Sequence, residues 1–154
     1  VFNIQQDKAR YYGAEFEGSV RVAQVGDFAL SLDGVGDFTR ATIKTPLGNQ
    51  PAPRIPALRL LGGIEAKSDK VDARIEAEWV DGQSRIAPFE TTTSGYTLVN
   101  ASLELRPWGK DRDVSLLLSG NNLFDVDARR HASFLKDYAP LSGRDLRVTV
   151  RFGF

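Results

Sequence analysis

The sequence predicts an all-β fold, an antiparallel transmembrane β-barrel segment of about seven strands. Three observations predict it: apolar and polar residues alternate with period two from end to end, the connections between alternating runs are by turns short and long, and the chain closes on an aromatic, Phe154.

In the first run Tyr12, Ala14, Phe16, Gly18, Val20 and Val22 share one face, and Glu15, Glu17, Ser19 and Arg21 take the other. Carrying that parity back to Phe2 and Ile4 makes residues 2–25 one long strand. Gly26 and Asp27 form a tight turn, after which Phe28, Leu30 and Leu32 alternate with Ala29, Ser31 and Asp33. Gly34 and Gly36 predict a weakened strand with a bulge or bend. The Pro- and Gly-rich TPLGNQPAP, 45–53, is a loop. Leu58, Leu60, Gly62, Ile64 and Ala66 then alternate with Arg59, Leu61, Gly63, Glu65 and Lys67, up to a turn at 68–70. The cleanest run follows, with Val71, Ala73, Ile75, Ala77 and Trp79 against Asp72, Arg74, Glu76 and Glu78. After a loop at 81–95, Val99, Ala101, Leu103 and Leu105 oppose Asn100, Ser102 and Glu104. A turn at 107–113, a strand with Val114, Leu116 and Leu118, and a long connection at 122–143 lead to the terminal LRVTVRFGF.

The connections at 26–27, 68–70 and 107–113 are short, and those at 41–54, 81–95 and 122–143 are long. Consecutive antiparallel strands place alternate connections at opposite ends, so the long loops share one end, as in outer-membrane barrels. Tyr11, Tyr12, Trp79, Trp108 and Phe154 fall near strand ends, where interfacial aromatic girdles sit.

Composition narrows the function. Twenty Lys and Arg balance twenty Asp and Glu in 154 residues, which argues against a nucleic-acid partner. The absence of Cys excludes disulfides, thiolate metal sites and cysteine catalysis. No apolar run has the length of a transmembrane helix. The chain opens at Val1 without a basic segment and apolar stretch, so the expectation is a piece of a longer protein whose export signal lies upstream.

Alternation by itself does not say which solvent each face meets. A membrane barrel turns the apolar rows to lipid and the charged rows to a wet lumen. The lumen-facing residues would then be Glu15, Glu17, Arg21, Asp72, Arg74, Glu76, Glu78, Glu104, Arg147 and Arg151. A soluble lipocalin-like carrier of an apolar ligand would do the reverse. Loop asymmetry and the terminal Phe favour the membrane arrangement. Seven strands close poorly, and open edges are not tolerated in lipid, so a slice of a larger barrel is expected. A complete small outer-membrane barrel of about eight strands, with a structural or adhesion role, is the alternative.

The stretch GNNLFDVDARRHASFLKDYAPLSGRDLRVTVRFGF, 120–154, resembles the C-terminal end of a TonB-dependent outer-membrane receptor. NNLFD, RRHASFLKDYAPLSGRD and the final aromatic carry the likeness, and ARYYGAEFEG, PRIPALRL and SGYTLVNASLEL resemble earlier strands of the same family in the same order. The ending is similar to that of a subgroup associated with zinc or other metal uptake, although Ser142 stands where Pro is common. The resemblance implies that residues 1–154 are the C-terminal portion of a barrel of about twenty-two strands around a plug domain that this sequence lacks. It implies no enzyme activity and no cofactor. It implies TonB-driven uptake, through the plug region, of a scarce nutrient such as a siderophore or other metal chelate. It also implies outer-membrane lipid around the wall and a barrel assembly machinery that reads Phe154 with Val150 and Phe152.

His131 is the only histidine, and Asp125, Asp127 and Asp137 lie near it on the last long loop, a candidate hard-metal or chelate contact through carboxylate oxygens and one imidazole. A solvated or loop-packing role is the plainer account. Arg129, Arg130 and Arg144 could meet lipopolysaccharide phosphates or an anionic ligand. Ser31, Ser115 and Ser119 have no His–Asp partners suggested by sequence, and GVGDF, 34–38, lacks the strand–helix unit of a dinucleotide site.

Overall fold

A computed structural model describes residues 7–46, 48–109 and 113–153. The alternating runs form strands β1 (Lys8–Val25), β2 (Phe28–Thr45), β4 (Arg59–Lys67), β5 (Val71–Val80), β6 (Tyr96–Leu105), β7 (Val114–Asn121) and β8 (Asp145–Phe152). A short β3 (Gly48–Pro51) folds back on the end of β2, inside the segment expected to be a loop. All belong to one antiparallel sheet in the order β1-β2-β4-β5-β6-β7-β8, so each strand lies beside its neighbour in the chain, with β3 as a side branch. Among the described residues β1 pairs only with β2, and β8 only with β7. The sheet is therefore open, and the self-closed small barrel finds no β1–β8 ladder.

Two local expectations are corrected. β2 runs unbroken through Gly34 and Gly36, because it is paired on both sides there, with Gly18 and Phe16 of β1 and with Gly62 and Leu60 of β4. The irregularity lies in β1 instead: Arg21 pairs with Ser31 and Ala23 with Leu30, leaving Val22 as an extra residue in a bulge. The bulge returns Ala23 and Val25 to the face of Leu30 and Phe28. Val22 therefore does not continue the row begun at Tyr12.

The register joins the apolar residues into rows across the whole sheet. One row runs Val20, Leu32, Ile64, Ile75, Ala101, Gly120 and Leu146; the next runs Ala23, Leu30, Ala66, Ala73, Leu103, Leu118 and Val148. These side chains point into open surroundings: Ile64 is 54% exposed, Ile75 50% and Val148 70%. No large side chain is fully buried among the described residues. Seven strands spaced by about 4.8 Å, with a band about 25 Å tall, give an apolar surface on the order of 700 Å². That exceeds the few hundred Å² usual for the largest patch of a soluble monomer. Among the described residues the greasy rows do not meet in a dry interior, the arrangement a soluble carrier requires.

The strand ends joined through 26–27, through 68–70 and between β6 and β7 share one end of the sheet, and the ends joined by the long loops share the other. At the long-loop end β1 and β2 project past β4, whose pairing with β2 stops at Asp37. Facial polarity reverses in this projection. Ala41 and Ile43, on the face that is charged lower down, pack with Ala52 and Ile55 in a small core, while Arg40 and Lys44 stand on the opposite face.

Candidate functional site

The polar face is a lattice of ion pairs. Arg74 on β5 reaches diagonally across β4 to Asp33 on β2, with contacts of 2.5 and 2.8 Å, and also binds Glu76 at 2.9 Å. It passes over Gly63, where a Cβ would lie 2.5 Å from Nη2, so glycine is what permits the crossing. Asn100 Nδ2 donates to the other Glu76 oxygen at 3.0 Å. Arg59 bonds Asp37 at 2.6 Å and lies 3.6 Å from Glu78. Toward the short-turn end Arg106 lies 2.7 Å from Asp72 and 2.8 Å from Glu104. Opposite charges on facing strands stabilise a sheet and give this face its charged character, interrupted by Val35, Leu61, Leu98 and Leu117. The register places Glu15, Glu17, Arg21, Asp72, Arg74, Glu76, Glu78, Glu104, Arg147 and Arg151 together on this face.

Above the lattice the long loops lock together around Glu90, whose side chain is 8% exposed. Its carboxylate accepts the backbone N–H of Arg54 at 2.8 Å and of Ala87 at 3.0 Å. Lys136 Nζ lies 3.6 Å away and donates to the Thr91 carbonyl at 2.5 Å. The Thr91 hydroxyl in turn donates to Asp137 at 2.5 Å. Arg85 donates to the Ala41 carbonyl and Thr42 hydroxyl, and Arg54 stacks 3.7 Å from the centre of the Phe134 ring. Three loops far apart in sequence thus share one clasp.

His131 is the buried wedge of this clasp. Thr93 Oγ1 lies 3.0 Å and Lys136 Nζ 3.4 Å from Nδ1. The ammonium can only donate, so Nδ1 is the acceptor and the proton sits on Nε2. That atom lies 3.2 Å from Glu90 Oε1 but outside hydrogen-bonding alignment, so it is close to a charge yet unbonded. Burial first, then Lys136, holds the imidazole pKa below its ordinary value against the opposing pull of Glu90. Burial would raise the Glu90 carboxyl, but the Ala87 and Arg54 amides with His131 and Lys136 hold it below the usual carboxylate range.

The four residues expected to share a metal do not converge on one point, although Asp127 and Asp137 line one cavity and Asp137 lies close enough to His131 to act on its imidazole. His131 is in the clasp, and Asp137 is taken by Thr91. Asp125 accepts the Arg144 N–H at 2.8 Å, and Asp127 faces Arg129 at 3.6 Å. Asn122, in the left-handed region at φ 47°, pins the start of the loop through the bonds of its side-chain amide to Val126 and Ser142. Among the described residues no three His, Asp or Glu side chains converge as a metal cage. Arg129 is held by the Lys136 carbonyl at 2.6 Å, and Arg130 lines a cavity with Tyr96. Val150 and Phe152 stand exposed on the apolar face, whereas Phe154, Phe2 and Ile4 lie outside the described residues. Sequence reasoning missed Glu90, Lys136 and Arg54, which sit in irregular loops without any spacing signal.

Between lattice and clasp lies a cavity of about 290 Å³ lined by Asp37, Arg59, Glu78, Tyr96, Arg130 and His131. Glu78 is 7% exposed, and its Oε1 makes no hydrogen bond. Carboxylates and guanidiniums there meet Pro56, Ala57, Val80 and Ala132, so the lining is mixed, charged on one part and apolar on the rest.

No protein-family model matches the chain. Among solved structures it is similar to one described as "Copper transporter OprC", at 23% sequence identity and a TM-score of 0.78. The match covers 95% of this chain and 23% of that one, so the chain spans under a quarter of the transporter's length. The likeness shows the fold: the chain is an antiparallel β-barrel segment.

Proposed function

We propose that this chain is part of the barrel wall of a TonB-dependent outer-membrane receptor that imports a scarce metal or metal chelate. The observation that carries the reading is the division of the sheet: seven strands present one unbroken apolar face, and their opposite face carries a charge lattice. That is the surface of a wall with hydrocarbon on one side and water on the other. The copper transporter with the same fold supports metal as cargo, and the resemblance at 120–154 supports TonB as the source of energy. The short turns then face the periplasm and the clasped loops the exterior, with the 290 Å³ cavity opening toward the lumen. Lipid does not tolerate unpaired strand edges, so further strands of the full-length protein pair with β1 and β8.

The test is metal-limited growth of cells that depend on the full-length protein, with and without TonB. Uptake of copper or another metal that disappears on removal of TonB is the expected result. Uptake that continues without TonB, or full-length protein that stays monodisperse without detergent, overturns the reading.

A further inference from the structure

On the outward face of β1 and β2, above the apolar band, four cations stand together. Lys8 lies directly opposite Lys44, and Arg40 opposite Tyr12, with Arg10 between those rungs opposite Thr42. All four are exposed. The carboxylates of these two strands, Glu15, Glu17, Asp33 and Asp37, all stand on the other face. A Lys–Lys rung is repulsive, and nothing acidic on this face of the two strands offsets it. In a chain of zero net charge, such segregation asks for an anion from outside.

The position says which anion. Arg10 lies 5.7 Å from the centre of the Tyr12 ring, and Arg40 lies at the same distance from that of Phe38, so the cations begin where the aromatic edge of the band ends. From Phe28 to Phe38 the strand rises about 34 Å, or about 26 Å along the normal at a tilt near 40°, which matches the apolar height of a barrel. On the same scale Arg40 sits about 5 Å above the hydrocarbon and Lys44 about 16 Å. An ordinary headgroup layer is about 5–8 Å thick, so it reaches the arginines and stops short of the lysines. The polarity reversal at Ala41 and Ile43 agrees, since it places this stretch in water rather than hydrocarbon.

We infer that this patch docks a multiply phosphorylated glycolipid of the outer leaflet, the chemistry of lipopolysaccharide, with one phosphate at Arg10 and Arg40 and a more distal one bridging Lys8 and Lys44. The inference rests on the membrane reading above. It moves the lipid-phosphate contact from the loop arginines Arg129, Arg130 and Arg144 to the barrel exterior.

The experiment measures lipid retention by the full-length protein in nanodiscs, using bis-phosphorylated lipid A bearing its phosphorylated inner-core sugars, the same lipid after phosphatase treatment, and phosphatidylglycerol. Wild type should prefer the phosphorylated glycolipid over both others. The K8Q/R10Q/R40Q/K44Q variant should bind it roughly tenfold or more weakly, as charge-assisted contacts to phosphate are lost. The K8Q/K44Q variant should lose the preference over phosphatidylglycerol while still binding that lipid. Equal retention by wild type and the fourfold variant, or equal retention of phosphorylated and dephosphorylated glycolipid by wild type, overturns the inference. The second comparison stands even where the fourfold variant fails to fold. A protein that needs detergent but ignores phosphate sinks this inference alone, whereas one that needs no detergent sinks the membrane reading beneath it.

Discussion

His131 and Glu90 tie loop order to pH, in two separate windows. The folded imidazole has a lowered pKa, so the unfolded chain binds its proton first as pH falls. The contribution of His131 is therefore complete above about pH 6.5 and is lost as pH drops through the folded value. Glu90 is also lowered, so its contribution persists further into acid and fades only below the usual carboxylate range. Limited proteolysis of residues 81–95 and 122–144 should be faster at mildly acidic pH than at neutrality, with the strands unaffected. A pH-independent rate would contradict the buried neutral ring. Glu90→Ala removes a charged acceptor shared by the Ala87 and Arg54 amides and should cost the clasp about 1–3 kcal/mol, measured by hydrogen exchange at Ala87 and in the 122–144 loop. This part of the site was not legible in the sequence. His131 drew attention as a lone imidazole, but its partners Thr93 and Glu90 come from a loop about 40 residues away, which only folding brings near.

For the strands, parity is the claim that a pair of substitutions can check. Ile64 and Leu61 share β4 but stand on opposite faces. Ile64→Arg should destabilise the assembled barrel by about 2–4 kcal/mol, the cost of arginine near the bilayer midplane. Leu61→Arg, on the charged face, should cost far less. The comparison is made by chemical unfolding in detergent, and equal losses would contradict the assignment of faces. Seven of the eight strands were legible from alternation because each has one wet and one apolar side, and the pleat converts that difference into period two. The bulge at Val22 was not, since a single extra residue between two apolar positions leaves the local pattern intact. β3 was hidden by its Gly and Pro content. The Arg74–Asp33 crossing depends on inter-strand register, which no single segment reports.

The whole molecule is an open wall, and its edges make the largest prediction. In the full-length protein the amides of β1 and β8 that lack partners here should exchange as slowly as those of β5, because strands on either side complete the ladder. Fast exchange along both edges in the membrane-embedded protein would mean that the wall does not close through additional strands.

The sequence by itself determined the number of principal strands, their order, the ends at which the loops gather and, apart from the bulge at Val22, which residues share a face. All of these follow from local alternation and chain connectivity. Tertiary structure decided which rows join across the sheet, which charges pair, and that the last loop packs His131 into a clasp. Those outcomes depend on register and on contacts between segments remote in the chain, and they are set only when the strands lie side by side.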